Sequence, residues 1–228
     1  MEHPPVYLFL LLGIPEHIQE EYRYVMLAVL VTLILTLISL WAKRNLQEIP
    51  TGKQNFFEFV VGGILDFMEE IMGHEAKRFL PLIGTLGFFI LTSNLLGLIP
   101  GFDSPTANIN ATGGCAIVVF FTTHIVGIKR HGLKYVKQFT GPIPWLAPLM
   151  IPIELISHIV RPVSLSIRLF GNIFGGHLVI GSFLGLVSIP LIYPLPMMAM
   201  EIFVAFVQTL IFIVLSMIYI SLALSEEH

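Results

Sequence analysis

The sequence is poor in charge and almost free of cysteine. Charged types make up 12% of its 228 residues, about half the roughly 25% of an ordinary soluble domain. That excludes a soluble enzyme, whose surface needs more charge, and the 55% apolar content excludes a disordered chain. Twelve basic residues against fifteen acidic ones leave a net charge of −3. No broad basic surface exists, so nucleic acid is not an expected partner. The single cysteine, Cys115, cannot close an internal disulfide or build a thiolate metal site.

Present in their place are long uncharged runs. A hydrocarbon slab about 30 Å thick takes about 20 apolar residues in a helix. Residues 24–42 form a first span, bounded by Arg23 and Lys43 and ending near Trp41. Residues 79–100 form a second and 111–128 a third. Beyond Gly141 the prolines at 190, 194 and 196 divide the chain into two long segments, 143–188 and 197–224. At 1.5 Å per residue they measure about 70 and 42 Å, too long to stand upright. The run 6–14 is short, lacks a basic lead-in and reads as a surface or re-entrant piece rather than a secretory signal.

Within 56–74, Val60, Ile64, Phe67 and Ile71 recur on one helical face, with Glu58, Asp66, Glu69 and Glu70 elsewhere. This reads as an amphipathic helix in the membrane interface. Its acidic side favours a protein partner over anionic lipid, and a plain connector is the alternative. The expected fold is therefore an all-α polytopic membrane protein in one domain. About five transmembrane helices and one interfacial helix are expected, the last two long, strongly tilted and paired as a hairpin. Lys43, Arg44, Lys53, Lys77, Arg78, Lys129, Arg130, Lys134 and Lys137 fall on one side, leaving Arg23 on the other. The positive-inside rule then puts the N-terminus outside and the C-terminus in the cytoplasm.

The chemistry concentrates between residues 154 and 172. At about 100° per residue, Glu154, His158, Arg161, Ser164, Arg168 and Asn172 share one sector of an otherwise apolar helix. Arg168 lies near the middle of its segment, out of snorkelling reach of either end. A central Arg costs at least roughly 2.5–3.5 kcal/mol, so it should face a carboxylate, water or another subunit. For Glu154 the plainer alternative is a structural pair with His158 or Arg161. In the last segment Glu201, Gln208 and Tyr219 share a second stripe. His177 and Glu201, at the outer ends of adjacent helices, suit a proton relay, with a hydrogen-bonded structural pair as the alternative. His124 and His131 have no nearby acid to complete a metal site, so no metal is expected. There is no nucleophile elbow, zinc helix or phosphate-cradling glycine loop.

The run Arg168-Leu-Phe-Gly-Asn172 followed by Ile-Phe-Gly-Gly-His177 closely resembles the signature of subunit a of bacterial F-type ATP synthases. The runs around Glu154, Arg161, Gln208 and Tyr219, and Gly97-Leu-Ile-Pro-Gly101, fit the same family. The resemblance implies a proton-translocating, non-catalytic stator subunit without a cofactor, beside a rotating ring of c subunits and contacting subunit b of the peripheral stalk. It would sit in the inner (plasma) membrane as part of the whole ATP synthase. Arg168 would deprotonate the ring carboxylate and separate two aqueous half-channels. His177, Glu201 and Gln208 would lie along the channel, with Glu154 and Asn172 as further polar positions. Some members carry the acid where this chain has His177 and the histidine where it has Glu201. A sodium-driven version is an alternative. A stand-alone transporter lacks the expected internal repeat. An intramembrane enzyme using His124, His158 and Glu154 lacks a motif.

Overall fold

In hydrocarbon a backbone amide finds no water, so each apolar run satisfies its polar groups internally as a helix. The computed structural model describes Val6, Phe9 and residues 15–44, 46–47, 52–99, 101–132, 135, 147–186 and 194–225. Six α-helices occur there in the order α1 (Glu16–Lys43), α2 (Lys53–Met72), α3 (Ala76–Leu96), α4 (Ile109–His131), α5 (Ala147–Leu186) and α6 (Pro194–Leu224). Short 3-10 turns sit at Gly73–Glu75 and Pro105–Ala107. No strand occurs among the described residues. Among the described residues, five stretches are long and apolar enough to cross a membrane: Glu21–Lys43, Lys53–Leu96, Ile109–His131, Pro148–Val179 and Pro196–Leu224. The fold is an all-α polytopic membrane protein.

Local signals explain several boundaries. Pro194 opens α6 at a position where no amide hydrogen is needed. Asn108 caps α4 by accepting from the Asn110 amide at 2.8 Å. Gly132, at φ 58°, ends α4 after Lys129, Arg130 and His131, where cations meet the negative end of the helix dipole. Gly73, at φ 59°, turns the chain between α2 and α3. By contrast, Pro81, Pro152 and Pro162 lie inside helices without ending them. The expected start of the fourth span at 143, its end at 188, Pro190, Lys134 and Lys137 lie outside the described residues.

Two buried clusters hold α3 to α6 together. Leu165, Leu169 and Ile173 of α5 meet Leu86, Ile90, Val119 and Phe212 in the central one. Met68 and Met72 of α2 meet Ala76, Phe79, Ile83, Met217 and Ile220 in the other. Thus α2 docks where α3 begins and α6 ends. Its buried line runs through Met68 and Met72, with Ile64, Phe67 and Ile71 half-buried beside it. Of the run 6–14 only Val6 and Phe9 are described, and both are buried against Leu27, Val31 and Leu96. Burial of both residues departs from a surface reading of that run. The outer side of α1 stays apolar and exposed at Val25, Val29, Leu33 and Leu37, as lipid contact requires.

The polar stripe of α5 divides between two surfaces. Because Leu165, Leu169 and Ile173 turn inward, Arg168 and Ser164 turn outward, while His158 and Ser166 are buried. At about 60 and 46 Å, α5 and α6 both exceed a 30 Å slab.

Candidate functional site

Three polar layers connect α5 to α6. In the middle, Asn172 Nδ2 donates to Gln208 Oε1 at 2.6 Å. Gln208 is 1% exposed, and its Nε2 has no hydrogen-bond partner among the described residues. Arg168 lies one turn from Asn172. It is exposed and makes no hydrogen bond or ion pair with a described residue. Apart from Ser164 and Asn172, one turn to either side, the exposed surface of the two helices is largely apolar: Val160, Val163, Ile167 and Phe174 on α5, and Phe203, Phe206 and Leu210 on α6. A Cβ added at Gly171 or Gly175 would meet open space, so the ground beside the guanidinium is low.

Toward the C-terminal end of α5, His177, Glu201, Asn172 and Asn94 line one cleft, walled by Leu98 and Ala205. Glu201 is half-buried, and its Oε1 has no hydrogen-bond partner among the described residues. The carboxylate rests on Gly176, where an added Cβ would collide with Oε1. The His177 ring rests on Gly97, where a Cβ would stand 2.9 Å from Nε2. Gly176 therefore makes room for Glu201, and Gly97 for both His177 and Ser104, whose Cβ would stand nearer still at 2.7 Å. Beneath them Ser104 Oγ donates to the Ser93 carbonyl at 2.8 Å and lies 2.6 Å from Thr106 Oγ1. Thr106 donates in turn to Asn94 Oδ1 at 2.5 Å. Nearby, buried Arg23 is ion-paired with Asp103.

Toward the other end, Glu154 Oε1 lies 3.3 Å from His158 Nε2. The Arg161 guanidinium stacks 5.4 Å over the Tyr219 ring. His158, Arg161, Tyr219 and His124 line a second cleft. The His124 and His158 ring centroids are 5.2 Å apart. Of the two structural alternatives for Glu154, the structure forms the one with His158. Arg161 meets an aromatic face instead.

The layers share one antiparallel register. From Gln208 and Asn172, eleven residues forward on α6 and eleven back on α5 reach Tyr219 and Arg161. Seven back and five forward reach Glu201 and His177. At 1.5 Å per residue, His177 lies about 13 Å to one side of Arg168 and His158 about 15 Å to the other. Between the clefts sit Leu165, Leu169 and Phe212, each at most 1% exposed. Each sequence-predicted site residue thus falls in one of three layers. Sequence reasoning missed Asn94, Ser104, Thr106 and Asp103, and it did not tie His124 to His158. Polar side chains inside an otherwise apolar run were the available signal for the first three.

A family model described as ATP synthase A chain matches residues 24–221. Relatives named ATP synthase subunit a include one from Geobacter sulfurreducens (strain ATCC 51573 / DSM 12127 / PCA), 50% identical with both chains covered in full. One from Geotalea uraniireducens (strain Rf4) is 49% identical, also with full coverage of both chains. ATP synthase subunit a 1 of Pelobacter propionicus (strain DSM 2379 / NBRC 103807 / OttBd1) is 51% identical over the whole of both chains. With five stretches apolar enough to cross a membrane among the described residues, a family model over residues 24–221 and full-length relatives, the chain belongs to the ATP synthase A chain family, the a subunits of F-type ATP synthases.

Proposed function

We propose that this chain is the non-catalytic, proton-translocating stator subunit of its ATP synthase, and that Arg168 works against a carboxylate carried by a c-subunit ring. One observation carries the reading: a mid-helix arginine on the outer face, without a described partner, level with a buried apolar layer between two clefts that each hold ionisable side chains. A cation so placed needs an anion from outside the chain. The long faces of α5 and α6, tilted to fit the membrane, are the surface offered to the ring. The cleft with His177 and Glu201 serves as the outer half-channel, and the cleft with Glu154, His158, Arg161 and Tyr219 as the inner one.

The chemistry follows from charge. A ring carboxylate facing lipid is neutral, because a bare charge there is costly. Beside Arg168 its anion is stabilised, its pKa falls and the proton leaves. Rotation away from Arg168 favours reprotonation from the other half-channel. The fixed cation also repels a proton that would pass directly between the clefts. Arginine suits the task because it stays protonated when partly desolvated. Gln208 and Asn172 tie the two helices at the level of the guanidinium. The N-terminus lies outside and the C-terminus in the cytoplasm of a bacterial inner membrane, with α2 in the interface toward subunit b. Ion choice between proton and sodium rests with the ring carboxylate's own surroundings.

The test is ATP-driven acidification of inverted vesicles holding the assembled complex, with Arg168→Ala beside the wild type. Pumping is expected to vanish while the c ring still co-purifies, and passive leak after removal of the soluble head is expected to persist or rise. Normal pumping by Arg168→Ala would overturn the mechanism.

A further inference from the structure

We propose that His124 and His158, together with Glu154, form a proton relay at the inner end of the pathway, so that α4 contributes a working residue to a half-channel otherwise built by α5 and α6. The inference rests on the function proposed above and adds to it. His158 is buried, while Glu154 is half-buried, one turn farther from Arg168. Glu154 Oε1 and His158 Nε2 lie 3.3 Å apart as an ion pair, and a small turn of either side chain brings them into proton-transfer geometry. His124 enters from α4 at the same level, with its ring 5.2 Å from that of His158. Its Nδ1 donates to the Phe120 carbonyl at 2.9 Å, because a carbonyl can only accept. That bond sets the tautomer and leaves the Nε2 lone pair to take a proton.

The charges around the pair limit how many protons it holds. Arg161 and Glu154 face it from α5, Tyr219 from α6, and Tyr135, after α4, places its ring 6.1 Å from that of His124. Two imidazolium rings at this spacing, beside a permanent guanidinium, repel strongly. The pair therefore carries one proton at a time, with the Glu154 carboxylate as its counter-charge. In the transfer step the Glu154 carboxyl gives its proton to His158 Nε2, leaving a carboxylate and an imidazolium. The imidazolium then passes a proton to His124 Nε2, which releases it to water in the cleft near Arg161, and Glu154 takes a new one from the inner solution. One proton moves and every group returns to its starting state. Among the described residues no three such side chains are placed to hold a metal ion, so the cluster is read as proton-handling.

The experiment is passive proton flux through the membrane sector in vesicles stripped of the soluble head, as a function of inner-side pH from about 5.5 to 8.5. The wild type is expected to show an inflection within that range. His158→Gln is expected to lose it and to slow at least about tenfold, with flux returning when imidazole is added on the inner side. His124→Asn is expected to shift the inflection. His124→Phe keeps a ring against Phe120 without a base. If it restores wild-type flux where Asn does not, the ring only packs and the relay is wrong. An unchanged pH profile in His158→Gln also overturns it. Arg168→Ala, measured alongside, separates the readings: if it abolishes pumping while the histidine variants behave as wild type, only the relay fails.

Discussion

Gly176→Ala is a small change with a large expected consequence. A Cβ there would occupy the space of Glu201 Oε1, and the three atoms nearest to it all belong to Glu201. The carboxylate is the far end of a flexible side chain, so it can swing aside by about 1 Å at modest cost. Alanine in a helix also gains roughly 0.5–1 kcal/mol over glycine. The two terms nearly cancel, and assembly should survive. Position, not stability, is what changes: a misplacement of about 1 Å can cost about a hundredfold in a proton-transfer step. We expect ATP-driven pumping in inverted vesicles to fall between about tenfold and a hundredfold, with the c ring still retained. Adding Glu201→Asp, one methylene shorter, should draw the carboxylate back and recover part of the rate relative to Gly176→Ala alone. Full pumping by Gly176→Ala would show that the seat of Glu201 against α5 is not part of the pathway. Failure of the second substitution to rescue a dead variant would place the damage elsewhere.

Two further outcomes test the supports of the site. Asn172→Leu leaves the buried Gln208 amide without its α5 partner and should lower the thermal stability of the purified complex by about 1–3 kcal/mol; pairing it with Gln208→Leu should recover most of that. Arg23→Leu breaks a buried ion pair with Asp103 and should cost about 3–5 kcal/mol, read as earlier loss of the subunit on heating, and Asp103→Asn in the same chain should reduce the loss.

Much of this architecture is legible because membranes impose one rule on every span. Uncharged runs of sufficient length become helices, and a 3.6-residue period places Arg168 about 100° from inward-facing Leu169. The Glu154–His158 contact was within reach for the same reason, since residues four apart are neighbours on a helix. Pairings between distant segments leave no such trace. Nothing in the local pattern ties Asn172 to Gln208, seats His177 on Gly97 or brings His124 beside His158. Asn94, Ser104 and Thr106 read as isolated polar residues until α3 and the turn before α4 come together. The prolines were ambiguous: Pro194 starts a helix, while Pro152 and Pro162 lie within one.

The dry layer of Leu165, Leu169 and Phe212 has an electrical consequence. Water in the two clefts would act as conducting leads, so the membrane voltage would fall across this layer rather than across the full slab. From Asn172 to Arg161 the helix advances only about 16 Å, which makes the local field about twice that of a uniform 30 Å membrane. A proton in a conducting cleft meets almost no field and reaches the Arg168 layer at the potential of the solution it came from. The whole voltage, about 2.3 kcal/mol per 100 mV, would then act on the single step across the layer. The thickness of a few apolar side chains would set how steeply it acts on the ring carboxylate.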